Sequence, residues 1–167
     1  MPAGLKSYPA SEPDPVRTWC EQSGRILDNY RRWLGRELIP RDGSAEDQAR
    51  RLFDAPFVVL SSGNEADPLL NYGNRTALEL WETTWDELRG LPGRLTAEPV
   101  ERPVREAFLQ RVRENGYISD YSGIRISRKG RRFRIAAATI WNLVDADGRF
   151  VGQAATFPEW LPEVPVR

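Results

Sequence analysis

Four carboxylates, Glu79, Glu82, Asp86 and Glu87, crowd into the stretch "NYGNRTALELWETTWDELRG" (71–90). Paired acids at close range can do general acid–base work, but this helical spacing marks a solvent face and cap positions instead. The same stretch carries Trp81 and Trp85, four residues apart, which either fill a core or line a pocket. Arg125 is the sharper feature, because a guanidinium on the inward face of a strand needs an anionic partner. Glu98, Glu82 or a ligand carboxylate could each supply one. The chain has no histidine. That removes Ser-His-Asp and Cys-His catalysis, His-ligated zinc and haem held through a proximal imidazole. The single Cys20 cannot form an internal disulfide or a structural zinc site. With no catalytic pair and no metal-ligand cluster in the sequence, the expectation is a protein that is not an enzyme.

Composition sets the frame for these residues. A chain of 167 residues, 40% hydrophobic and 29% charged, fits one domain with a real core. Twenty-four basic residues balance twenty-four acidic ones, so no net field draws a polyanion, and no nucleic-acid partner is expected. The basic run "RISRKGRRFR" (125–134) falls on a hairpin turn and offers no base-stacking surface beyond Phe133. The N-terminus lacks the apolar core of a signal peptide, and no run approaches the roughly 20 apolar residues that cross a membrane. The chain reads as soluble and cytoplasmic, without a membrane partner.

The elements that must position these side chains follow from periodicity. Residues 1–14, with three prolines, read as a disordered tail. Over 16–38, Trp19, Ser23, Ile26, Tyr30 and Trp33 step by four and three along an amphipathic helix. Such a helix covers the domain's own sheet or pairs with a second copy. Ser44 and Asp47 open a shorter second helix. Residues 57–60 and "LLNYGN" are short strands, and Asn74 caps the helix "RTALELWE". Thr83 and Thr84 break that helix, and Thr84 with Glu87 starts another. Val104, Phe108 and Val112 mark the inner stripe of a helix over 101–114. The period then becomes two. Tyr117, Tyr121 and Arg125 share one face of a strand, opposite Ile118, Ile124 and Ile126, and Phe133, Ile135, Ala137, Thr139, Trp141 and Leu143 share one face of the next. "DADG" turns into a last strand, "RFVGQAATF".

Two strands, short helices, one longer helix and three strands give an α+β domain whose order resembles the PAS fold. More narrowly, "EADPLLNYGNRTALELWETTWDELRGLPGRLTAEPVERPVR", "GYISDYSGIRISRKGRRFRI" and "ATIWNLVDADGRFVGQAATF" resemble the MEKHLA domain, a PAS-related family, over about 45–160. That family occurs as stand-alone bacterial proteins and at the C-terminus of plant homeodomain-leucine-zipper factors, and the chain resembles the stand-alone bacterial type. The resemblance implies a PAS-like five-stranded antiparallel sheet with short helices between strands 2 and 3. It divides the chain into a tail (1–14), an N-terminal helical extension (15–54), the PAS-like domain (55–160) and a C-terminal tail (161–167). It also implies a sensory or regulatory module that binds a small molecule or a protein partner without catalysis. The alternatives are a structural interaction domain with a filled core and no ligand and, behind it, a small enzyme using carboxylate or tyrosine chemistry. Pocket candidates are Tyr72, Asn74, Leu78, Trp81, Trp85, Tyr121, Arg125, Phe133, Ile135, Ala137, Thr139 and Trp141. A homodimer would form through Trp19, Ile26, Tyr30 and Trp33. No cofactor is identified; cysteinyl-flavin chemistry and His-ligated haem are not expected. The family pattern has Ser-His-Gly where this chain reads Ser61, Ser62, Gly63, which puts any role of that imidazole in doubt.

Overall fold

The computed structural model describes residues 15–163. The N-terminal tail (1–14) and the end of the C-terminal tail (164–167) lie outside the described residues. The chain begins with α1 (Pro15–Leu34) and α2 (Ala45–Phe53). Then come β1 (Val58–Ser62), β2 (Leu70–Gly73), α3 (Arg75–Leu80) and α4 (Trp85–Leu88). Two 3-10 turns, Gly93–Thr96 and Pro99–Glu101, lead into α5 (Arg102–Asn115). The strands β3 (Tyr117–Ile126), β4 (Arg132–Val144), β5 (Phe150–Phe157) and β6 (Glu159–Pro162) complete it. The sheet runs β2-β1-β5-β4-β3, all neighbours antiparallel.

The expected five strands are therefore present, with a sixth. After Phe157 the chain turns at Pro158, and β6 pairs with the first half of β4, Phe133 opposite Pro162 and Ala136 opposite Glu159. Leu161 and Pro162, read as tail, belong to the sheet. Beyond this point β4 pairs with β5 instead, from Thr139 opposite Thr156 onward.

Local capping sets the helix starts. Ser44 and Asp47 form a reciprocal capping box, and these hydrogen bonds hold the Asp47 carboxyl below the usual carboxylate range. Asn74 accepts from the Ala77 amide at 3.1 Å, and Thr84 accepts from Glu87 at 3.2 Å. At the other end of α5, Gly116 adopts φ 93° and packs against Trp33, where a Cβ would come within 2.6 Å of the indole.

The first helix lies on its own sheet. Trp19, Ile26 and Tyr30 are buried, and Trp33 is half-buried. Tyr30 meets Trp141 edge-on at 5.0 Å, and the Trp141 Nε1–H donates to the Ile26 carbonyl. Trp33 Nε1–H donates to the Asn142 carbonyl at 2.9 Å. The four residues expected to form a dimer face are thus consumed within the chain, because the sheet needs an apolar cover on this side.

Two bulges redirect side chains. In β4, Ala137 has φ 53° and is exposed, and pairing with β3 loses register around it. Phe133 and Ile135 face α3–α5, as do Ala138 and Ile140 after the bulge. Thr139 and Trp141 therefore point to the α1 side, so the expected single face over 133–143 is corrected to two. In β3, Asp120 has φ 70°, and Tyr117 lies opposite Trp141 while Ile118 lies opposite Ile140. Ile118 thus shares a face with Tyr121 and Arg125, and Tyr117 does not. Ala137 carries a Cβ in the left-handed region, so Ala137→Gly is expected to stabilise the fold by about 1 kcal/mol. Equilibrium urea unfolding checks this; a loss of stability would show that the bulge tolerates alanine without strain.

Candidate functional site

Between the sheet and the helices α3–α5 lies a cavity of about 80 Å³. Leu60, Leu70, Ile140 and Phe157 supply its apolar wall, and Ser62, Thr96, Gln153, Arg105 and Arg125 bring polar groups to it. Trp81 closes one side, meeting Phe133 edge-on at 5.0 Å and Phe157 at 6.1 Å. This is the usual constitution of a ligand site, mostly apolar with a few convergent polar groups.

The helix break at Thr83 and Thr84 decides the fate of the two tryptophans. Trp81 caps the end of α3 and faces the cavity. Trp85 starts α4 and joins a filled aromatic cluster, 5.5 Å from Tyr72 and 6.3 Å from Phe53, which in turn meets Trp19 at 5.8 Å. Tyr72 and Trp85 are therefore core residues away from the cavity. So are Leu78 and Ile135, both buried but outside its lining. Asn74 is fully buried and acts as a structural hub. Its side chain donates to the Leu52 and Phe57 carbonyls and accepts from the Val59 and Ala77 amides. Phe133 and Tyr121 stand one layer back, behind Trp81 and Arg125. Ala137 and Thr139 border a different hollow, with Tyr30 on the α1 side, and Trp141 lies under α1.

Arg125 is 7% exposed, and none of the expected acids reaches it. Its Nη2 donates to the Tyr121 hydroxyl at 2.7 Å and its Nη1 to the Ile124 carbonyl at 2.9 Å, both neutral acceptors. Glu82 instead accepts from Ser127 Oγ at 2.6 Å and pairs with Arg131 at 3.8 Å. Glu98 accepts from Arg132 Nη2 at 2.6 Å. Arg134 pairs with Glu163 at 2.8 Å, so much of the basic hairpin is neutralised locally. The carboxylates Glu79, Asp86 and Glu87 are exposed on the far side of α3 and α4.

A second guanidinium, Arg105 on α5, was not anticipated. Val104, expected on the inner stripe, is 53% exposed, and the inward positions are Arg105, Phe108, Leu109 and Val112. That stripe steps by three, one and three, and an arginine on it is invisible to a count of apolar residues. Arg105 packs over Gly93, where a Cβ would sit 2.9 Å from its Nη2. Burial pushes the guanidinium down to about 10, and the like charge of Arg125 adds to the effect. Among the described residues neither Arg105 nor Arg125 has an ion-pair partner.

Ser62 lines this cavity. The space is well below the roughly 300 Å³ at which ordinary ligand pockets begin. Cys20 sits on α1, across the sheet, and offers no thiol to this site. Among the described residues no metal-ligating cluster is present, and no helix is long and apolar enough to cross a membrane.

Solved structures share this fold. A light-oxygen-voltage domain studied with a flavin analogue superposes with TM-score 0.56 at 18% identity, covering 71% of this chain and 85% of that one. The PAS domain of a protein from Colwellia psychrerythraea gives TM-score 0.58 at 11% identity, covering 66% and 92%. An RNA-binding light-oxygen-voltage receptor gives 0.57 at 17%, covering 75% and 35%. Among curated proteins, homeobox-leucine zipper protein HOX10 of Oryza sativa subsp. indica is 25% identical over 140 residues. ATHB-9 of Arabidopsis thaliana is 24% identical over 140 residues. This chain spans 16% and 17% of the length of those two relatives. The MEKHLA domain signature matches residues 20–162, starting inside α1 rather than near Ala45, and with most of its length matched the chain belongs to the MEKHLA domain family.

Proposed function

We propose that this chain is a sensory module that binds a small molecule in the cavity between sheet and helices and does no catalysis of its own. The observation that carries this reading is the Trp81 indole. Its Nε1–H is buried, lies on a residue that lines the cavity, and has no acceptor among the described residues. A buried donor left unmade costs about 1–3 kcal/mol, a cost that a ligand acceptor would remove. In this reading the readout is α1, on the opposite face of the sheet. Gln153 lines the cavity and donates to Asn142 Oδ1 at 3.2 Å, and the Asn142 carbonyl accepts from Trp33 of α1. A ligand shifts the position of α1 only to the extent that it binds two arrangements of it unequally.

The test follows indole signals by ¹⁵N NMR while small-molecule mixtures are titrated into the labelled protein, with Trp81→Phe used for assignment. A binder should move the Trp81 Nε1–H signal first and leave that of Trp141, bonded to the Ile26 carbonyl at 3.2 Å, nearly still. Binding that maps only to exposed residues such as Val100 and Leu161, with Trp81 unmoved, would replace this reading with a partner-docking domain.

A further inference from the structure

The cavity holds more positive charge than the protein neutralises. Arg105 and Arg125 come from different elements, α5 and β3, yet both line the same small space. Glu82 and Glu98, the two acids expected to satisfy Arg125, are engaged with Ser127, Arg131 and Arg132. Glu106 and Asp67 act on Arg105 through space, but neither forms an ion pair with it, and Asp67 is paired with Arg94. Two like charges that partly desolvate each other are an expensive arrangement unless an anion sits between them. Leu60, Ile140 and Phe157 give the rest of the wall an apolar part, and its other polar groups, from Ser62, Thr96 and Gln153, are neutral. The volume of about 80 Å³ corresponds to roughly three water molecules, the bulk of an acid with very few carbons.

We propose, building on the cavity reading above, that the ligand is a short-chain monocarboxylate. Its carboxylate bridges Arg105 and Arg125, the Trp81 Nε1–H is a third donor, and its short tail rests on the apolar wall. Planar guanidiniums match a carboxylate geometrically, and charge-assisted bonds of this kind are the strong ones. A phosphate-sized anion would share the charge but would leave the apolar wall without a partner.

The experiment uses the full chain, dialysed free of organic acids. Thermal melts and calorimetric titrations are run with acetate, propionate and butyrate, with ionic strength held constant by sodium chloride. Inorganic phosphate and the neutral propionamide are the comparison probes. Propionate or acetate should raise Tm saturably, and propionamide should not. Arg125→Gln and Arg105→Gln should each weaken binding at least tenfold, and Arg125→Lys, which keeps charge but loses the planar fork, should weaken it by less. Circular dichroism confirms that each variant folds; if Arg125→Gln does not, Arg105→Gln carries the comparison. Equal binding of propionamide, or binding unchanged in the folded arginine variants, would overturn the carboxylate assignment and leave the cavity reading standing. Preference for phosphate over every carboxylate would replace it with an inorganic-anion site. If no probe binds and titrated mixtures leave Trp81 unmoved, both readings fall together.

Discussion

Replacing Asn74 with alanine is expected to lower the unfolding free energy by about 4 kcal/mol. The side chain is fully buried and makes four hydrogen bonds, to Leu52 and Phe57 carbonyls and from Val59 and Ala77 amides. Alanine leaves these backbone groups without their partner in a place water does not reach, and it also removes the N-cap of α3. The bonds tie the end of α2 and the start of β1 to α3, so this residue sets where Trp81 stands over the cavity. Urea denaturation followed by tryptophan fluorescence measures the loss. Asn74→Asp keeps both acceptor bonds but loses the two donors and buries a charge, so it should also be strongly destabilising. A loss below about 1 kcal/mol for Asn74→Ala would mean that the loop before β1 repacks and the hub is not one.

Arg105→Met is expected to change stability in the opposite direction. Burial and the charge of Arg125 bring the Arg105 guanidinium down from its ordinary value to about 10 in the folded protein. For a base with a lowered folded pKa, the charged form costs stability below about pH 10, and the cost fades as pH rises from there toward the ordinary guanidinium value. Conversion at 1.36 kcal/mol per tenfold, discounted for the partly exposed side of the group, gives a gain of about 2 kcal/mol for the methionine variant without ligand. The same variant should lose the Tm rise produced by propionate. More stable when empty and unresponsive when titrated is the signature of a binding residue; a structural arginine would lose stability when removed. A drop in Tm for Arg105→Met without ligand would show that its stem packing over Gly93 outweighs its charge.

Much of the architecture was legible because its signals are local. The α1 rhythm of Trp19, Ser23, Ile26, Tyr30 and Trp33 corresponds to its inward face, and the caps at Ser44, Asn74 and Thr84 act within three residues of themselves. The break at Thr83–Thr84 was legible too, although its consequence, Trp81 to the cavity and Trp85 to the core, depends on the two short helices having different surroundings. Period-two alternation failed in β3 and β4, because a single left-handed residue in each strand, Asp120 and Ala137, inverts the side on which every later side chain falls. Neither residue is a glycine, so nothing in the residue type announced the bulge.

Chemistry divides along the same line. The sequence by itself determined what the site cannot contain, since a chain without histidine and with Cys20 alone has no imidazole or paired thiol wherever it folds. It also made Arg125 conspicuous, because a guanidinium on an inward strand position demands an anion. Only the tertiary structure decided that Glu82 and Glu98 are spent on Ser127, Arg131 and Arg132, and that Arg105 arrives from α5 to face the same cavity. The physical reason is that helix phase and caps are set by interactions a few residues apart, whereas the partner of a charge is set by competition among groups that the fold brings together from distant parts of the chain.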